Sequence, residues 1–105
     1  MKCIEMKSKY EKLIKYEKIK PFKNICVVTG VLEECNIEIE YIPNKKVLEI
    51  ASYREFFEQK FNMYIEEIAE TVFKTISELI EPKYLRVSVF LEDSNLTPWS
   101  VTIEK

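Results

Sequence analysis

The apolar residues of this chain change period twice. Up to about residue 42 they alternate with polar ones, most clearly in Cys35–Ile42, where Ile37, Ile39 and Tyr41 share one face and Glu38 and Glu40 the other. Across residues 50–81, Tyr53, Phe57 and Phe61 fall four apart, and Ile65, Ile68, Val72, Ile76 and Leu79 follow at steps of three and four. Alternation returns in Leu85, Val87, Val89 and Leu91, and again in Trp99, Val101 and Ile103. A period of two buries one face of a strand, whereas steps of three and four bury one stripe of a helix. The helical block is too long for one ordinary helix, so two are expected, broken near Lys60–Asn62 and stopped by Pro82. Earlier strands are expected at Leu13–Lys20, as an edge before Pro21, at Lys23–Val28 closing on Thr29-Gly30, and at Cys35–Ile42 before Pro43-Asn44. The polar run Glu92-Asp93-Ser94-Asn95 reads as a hairpin turn between the last two strands. Strands, two helices and two strands, in that order, make an α+β domain with the helices on one face of an antiparallel sheet.

The 105 residues suffice for one domain, 1–105, with the basic segment 1–12 expected as a flexible arm. A hydrophobic share of 47% excludes a disordered chain, and no apolar run is long enough to span a membrane. Residues 1–23 lack an apolar core segment, so no signal peptide is expected. Histidine is absent, which removes Ser-His-Asp and Cys-His catalysis and His-based zinc sites. Cys3, Cys26 and Cys35 are odd in number and form no C-x-x-C pair, so a reduced, cytoplasmic compartment is expected. Residues 1–23 carry eight Lys against three Glu, while residues 24–105 carry eight Lys/Arg against fifteen Asp/Glu. A basic arm on an acidic body can approach a phosphate backbone, or Lys7, Lys9, Lys12, Lys15 and Lys18 are simply solvated. The overall acidic balance argues against non-specific nucleic-acid binding, and no DNA partner is expected.

What remains for chemistry is thiol, carboxylate and cation. Cys26 stands just before a Thr-Gly turn, whose backbone N–H groups can favour a thiolate; a buried inert thiol is the other reading. Glu33 and Glu34 follow seven and eight residues later, where a carboxylate can take and return a proton or sit idle on the surface. Glu66-Glu67 opens the second helix, a placement the macrodipole favours in any protein. A carboxylate there can also accept paired hydrogen bonds from a guanine-like N1–H and 2-amino edge.

These residues resemble the QueF family of tunnelling-fold (T-fold) proteins. Cys26-Val27-Val28-Thr29-Gly30, Glu33 and the strand Glu38 to Pro43 are similar to the family's Cys-Pro-x-Thr-Gly-x-x-Asp and Tyr-Ile-Pro. Tyr64-Ile65-Glu66-Glu67 stands where the family has Phe-His-Glu-Asp or a His-Glu-Glu variant, and Glu81-Pro82-Lys83-Tyr84-Leu85-Arg86-Val87 where it has Asp/Asn-Pro-x-Tyr-(Ile/Val)-x-Val. The likeness runs collinearly over residues 13–104. It implies a T-fold that assembles into rings, such as stacked pentamers, with active sites between subunits; rings would also cover sheet edges that otherwise invite aggregation.

The resemblance further implies that Cys26 adds to the nitrile carbon of 7-cyano-7-deazaguanine to give a thioimide, with Glu33 handling the proton. The substrate-binding set it implies is Glu66, Glu67, Glu49 and the position of Ile65. The base is taken free or within tRNA. In the family's reductases NADPH then delivers hydride; in the short QueF-like amidinotransferases ammonia displaces the thiol and yields the formamidine of archaeosine. The reductases carry Glu-Ser-Lys-Ser-x-Lys, whose lysines are associated with the dinucleotide. Here the run is Glu49-Ile50-Ala51-Ser52-Tyr53-Arg54, which leaves Arg54 as an isolated cation and a poor phosphate clamp. The amidinotransferase is therefore expected, with ammonia as co-substrate, no cofactor and no metal; the reductase and a non-catalytic module binding a deazapurine or RNA are the alternatives. Three positions depart from the family: Ile65 replaces a His, Val27 a Pro, and Glu33 an Asp one methylene shorter. A shift of about an ångström at a reacting centre can cost ~10²-fold in rate.

Overall fold

The computed structural model describes residues 1–17, 19–91 and 98–105. Among these residues, seven strands and two helices follow in the order β1 (Cys3–Glu5), β2 (Ile14–Tyr16), β3 (Phe22–Ile25), β4 (Leu32–Ile42), β5 (Lys46–Leu48), α1 (Ile50–Phe56), α2 (Ile65–Ile80), β6 (Tyr84–Leu91) and β7 (Trp99–Glu104). The α+β order expected from the periodicity holds, including two helices parted around Lys60–Asn62. The expected turn at Glu92–Asn95 lies outside the described residues. No helix among those residues is long and apolar enough to cross a membrane.

β4 is the spine of a five-stranded antiparallel sheet. One edge pairs with β6, which in turn pairs with β7; the other edge is shared by β2 and β3. β3 pairs with the start of β4, from Ile25↔Leu32 to Phe22↔Cys35, and β2 with its end, from Tyr16↔Ile39 to Ile14↔Tyr41. Tyr16 and Phe22 are six positions apart in sequence but face partners only four apart on β4, so β2 and β3 are two separate pairings and not one continuous ladder. The edge strand expected over Leu13–Lys20 is accordingly shorter, Ile14–Tyr16, and Pro21, which has no N–H for a ladder, stands just before β3. β1 and β5 form a separate two-stranded ribbon, neither strand of which the periodicity announces.

Alternation buries one face of the sheet. Ile37, Ile39 and Tyr41 of β4 and Leu85, Val87, Val89 and Leu91 of β6 share one core with Ile65, Ile68, Ala69, Val72, Ile76 and Ile80 of α2, which lies against β6. The opposite face is polar: Ser88 and Thr102 hydroxyls lie 2.8 Å apart, the Tyr84 hydroxyl donates to Glu104, and Lys15 approaches Glu40 at 3.9 Å. A sheet covered on one side and polar on the other is the usual antiparallel solution. α1 is capped by Glu49, whose carboxylate accepts from the Ser52 and Ala51 N–H groups. Tyr53 within α1 and Phe57 at its C-cap pack at a tilt against Tyr16 and Phe22, with ring centroids 5.0 and 5.1 Å apart. α2 ends at Glu81, in the left-handed conformation with φ 45°, and Pro82 follows.

The Tyr53 hydroxyl is fully buried and has no hydrogen-bond partner among the described residues. An unsatisfied buried hydroxyl costs about 1–3 kcal/mol, so removing it should help. Tyr53→Phe is expected to raise stability by about 1 kcal/mol in chemical denaturation, whereas a destabilised variant would mean that the hydroxyl is satisfied in solution.

Candidate active site

The sheet's own period places the chemistry. Phe22, Asn24 and Cys26 are two apart, and across the ladder Asn24 faces Glu33 and Phe22 faces Cys35. All of these belong to the helix-covered face. The ladder continues one step past β3, where the Cys26 N–H donates to the Val31 carbonyl at 2.9 Å. The hairpin then closes through Val27–Gly30: the Gly30 N–H donates to the Cys26 carbonyl at 2.9 Å, and Gly30 holds φ at 75°. A left-handed φ at that position suits glycine, and adding a side chain would strain the turn that carries the thiol.

The segment between the helices is docked beside this hairpin. Phe61 donates its N–H to the Lys23 carbonyl at 3.0 Å and accepts from the Ile25 N–H at 2.7 Å. Asn24, only 1% exposed, completes the attachment. Its amide N–H₂ donates to the Met63 carbonyl at 3.0 Å and to a Glu33 carboxylate oxygen at 3.4 Å, while its carbonyl accepts from the Met63 N–H at 3.2 Å. One buried amide thus fixes the carboxylate and the residues that lead into α2. The result is a cleft of about 190 Å³ lined by Cys26, Glu33, Tyr64, Ile65, Glu66 and Trp99, among others.

Of the residues singled out from the sequence, Cys26, Glu33, Ile65 and Glu66 therefore meet around one cleft. Ile65 contributes an apolar wall and is 5% exposed, so nothing at that position can move a proton. Glu67 is exposed in the first turn of α2 and does not line the cleft. Glu49 is elsewhere, engaged as the α1 cap. Arg54 is not isolated in space: Lys20 and Lys23 line with it a second cleft of about 330 Å³, floored by Phe22 and Phe57. That corrects the sequence expectation, which saw only neighbours along the chain. Asn24 was not singled out, although its place two residues before Cys26, in an otherwise apolar position, is a readable signal. Trp99, read simply as a strand residue, also reaches the cleft.

The three thiols differ in environment. Cys35 is buried, and burial, with the Glu33 carboxylate adding to it, pushes its thiol up to about 12. It stays protonated at neutral pH and has no nucleophile to offer. Cys3 pairs with Leu48 in the separate ribbon. Cys26 is the half-buried thiol at the cleft.

No family model matches the chain. A 71-residue stretch, 66% of this chain, is 31% identical to the NADPH-dependent 7-cyano-7-deazaguanine reductase of Rhizobium rhizogenes, covering 46% of that protein. A 68-residue stretch is 28% identical to the corresponding reductase of Thermoanaerobacter pseudethanolicus, covering 63% of this chain and 51% of that one. The matched stretch thus spans about half the length of these relatives. Among solved structures, the apo archaeosine synthase QueF-Like superposes with a TM-score of 0.77 at 20% identity, covering 94% of this chain and 96% of that one. A Vibrio cholerae protein assigned to FolB, dihydroneopterin aldolase, superposes with a TM-score of 0.72 at 16% identity, covering 91% and 98%. The chain is a T-fold protein. Within that fold, the sequence matches are to 7-cyano-7-deazaguanine reductases.

Two outcomes follow from the site's construction. Asn24→Ala leaves the Met63 backbone groups unpaired and is expected to cost about 1–3 kcal/mol of stability in urea unfolding; an unchanged midpoint would remove the amide from its anchoring role. Because the Cys35 thiol titrates higher folded than its ordinary value of 9.0, the folded state holds its proton longer, and stability is lost as pH rises above that value. Between pH 8 and 10 the loss is expected to reach about 1.4 kcal/mol, and Cys35→Val should flatten it.

Proposed function

We propose that this protein performs QueF-type nitrile chemistry on 7-cyano-7-deazaguanine, with ammonia as the second substrate. The observation that carries this reading is the convergence of Cys26, Glu33 and Glu66, from a hairpin, a strand and a helix start, on one cleft. The Cys26 sulfur adds to the nitrile carbon; the thiol proton passes through Glu33 to the nitrile nitrogen, giving a thioimide. Ammonia then adds to the same carbon and the C–S bond breaks. The thiolate leaves, recovers its proton, and the product is the formamidine. Glu66, exposed at the first turn of α2, accepts hydrogen bonds from the N1–H and 2-amino group of the base. The base is taken free or in tRNA, and ring assembly would complete the cleft with a second copy.

A specific observation favours a second reading. The cleft lined by Lys20, Lys23 and Arg54, in which Glu58 also takes part and Lys23 is ion-paired with Glu34, keeps a cationic side at Lys20 and Arg54 that a phosphate-bearing cofactor could use, and the sequence relatives are NADPH-dependent reductases. Under this reading the same thioimide is reduced by two hydrides to the aminomethyl base.

Intact-mass measurement after incubation with 7-cyano-7-deazaguanine separates these readings. An adduct of the mass of the base is expected on the wild-type chain and none on Cys26→Ala. Ammonium should discharge it as the formamidine; discharge by NADPH as the aminomethyl base would establish the reductase instead. Glu33→Gln is expected to slow adduct formation by about 10²–10⁴-fold. Absence of any adduct at neutral pH would overturn both enzymatic readings and leave a binding module.

A further inference from the structure

The cleft presents more aromatic surface than the thiol chemistry consumes. Trp99, Val101 and Ile103 share one face of β7, opposite Leu91, Val89 and Val87 of β6. Val101 and Ile103 are half-buried against the core. Trp99 keeps 40% of its surface exposed and lines the cleft with Leu91 and with Ile65 and Glu66 of α2. Val27, Val28 and Tyr64 line the same cleft and are also exposed, so the apolar surface there is contiguous rather than a scattered residue. Indole is the largest flat surface available in the chain, and planar heterocycles stack on such rings with little dependence on their hydrogen-bonding edge.

We propose that Trp99 is the stacking wall of this cleft and the residue that selects a flat bicyclic heterocycle over other nitriles. This rests on the reading of the cleft as a 7-cyano-7-deazaguanine site and adds a residue to it. The division of labour is chemical: Glu66 reads the polar edge of the base, Cys26 takes the carbon of its substituent, and the indole takes its face.

Trp99 is the only tryptophan of the chain, so its emission, excited where tyrosine does not absorb, reports this one position. Two probes are titrated into the full-length protein: 7-cyano-7-deazaguanine, and 7-deazaguanine, which has the flat ring but no nitrile. Both are expected to quench the emission after correction for ligand absorption, and only the first to add mass at Cys26. Trp99→Leu is expected to weaken binding of 7-deazaguanine by roughly 5- to 150-fold, measured calorimetrically, and Trp99→Phe by no more than a few-fold. An aliphatic nitrile should give no quenching. If 7-cyano-7-deazaguanine adds to Cys26 while the emission and the Trp99→Leu affinity stay unchanged, the stacking role is overturned and the nitrile chemistry stands. Quenching by both probes without an adduct supports the stacking wall and overturns the covalent chemistry; neither quenching nor adduct overturns both. The wild-type quenching decides the matter even where a substituted chain fails to fold.

Discussion

The pairing of β3 with the first residues of β4 is the interaction on which the candidate site of this molecule depends. Its register sets Asn24 opposite Glu33 and so decides which carboxylate accompanies the thiol two residues further on. A slip of one residue would turn Asn24, Cys26 and their neighbours to the opposite face of the sheet. The same strand, on its outer edge, receives Phe61, and through Asn24 it receives Met63. The same slip would turn the buried Phe22 out of the core, so packing and cleft fix the register together.

Much of the fold was legible because period reports burial. The alternating residues of β4 and β6 and the 3–4 stripe of α2 are the residues found in the core, and Pro82 stops the second helix where expected. The short elements were not legible for physical reasons. β1 and β5 are three residues each, too short to show a period, and exist because they pair with each other. The edge strand was overextended because nothing in Leu13–Lys20 announces that β4 will offer its edge to two strands in turn. The site was partly legible: spacing brings Cys26 and Glu33 to one hairpin. The roles of Asn24 and Trp99, and the company Arg54 keeps with Lys20 and Lys23, are set by contacts between residues far apart in sequence.

The core and the cleft also differ in how they are held. The core is a layer of aliphatic residues between sheet and α2, extended under α1 by a run of aromatic rings, and non-directional burial holds it. Among the described residues, its one buried side-chain polar atom without a partner is the Tyr53 hydroxyl. The cleft is held by directional bonds of one buried amide, which cost much to leave unmade and fix position more finely than packing alone. Cys35, one strand pair away from Asn24, shows the contrast: the same sheet face that presents one thiol to the cleft keeps another sealed and protonated.

α2 is pinned at both ends to the same sheet. Its entry is tied through Met63 to Asn24 on β3, and just beyond its exit the Lys83 N–H donates to the Ile42 carbonyl at the far end of β4, at 2.8 Å. The helix is therefore a strut of fixed length between two anchorages. Each residue added to or taken from it would turn one end relative to the other by about 100°. With the exit held, that rotation would fall on Glu66 and swing it away from the thiol. The number of residues between Met63 and Lys83 is in this sense part of the geometry of the cleft, although most of them never approach it.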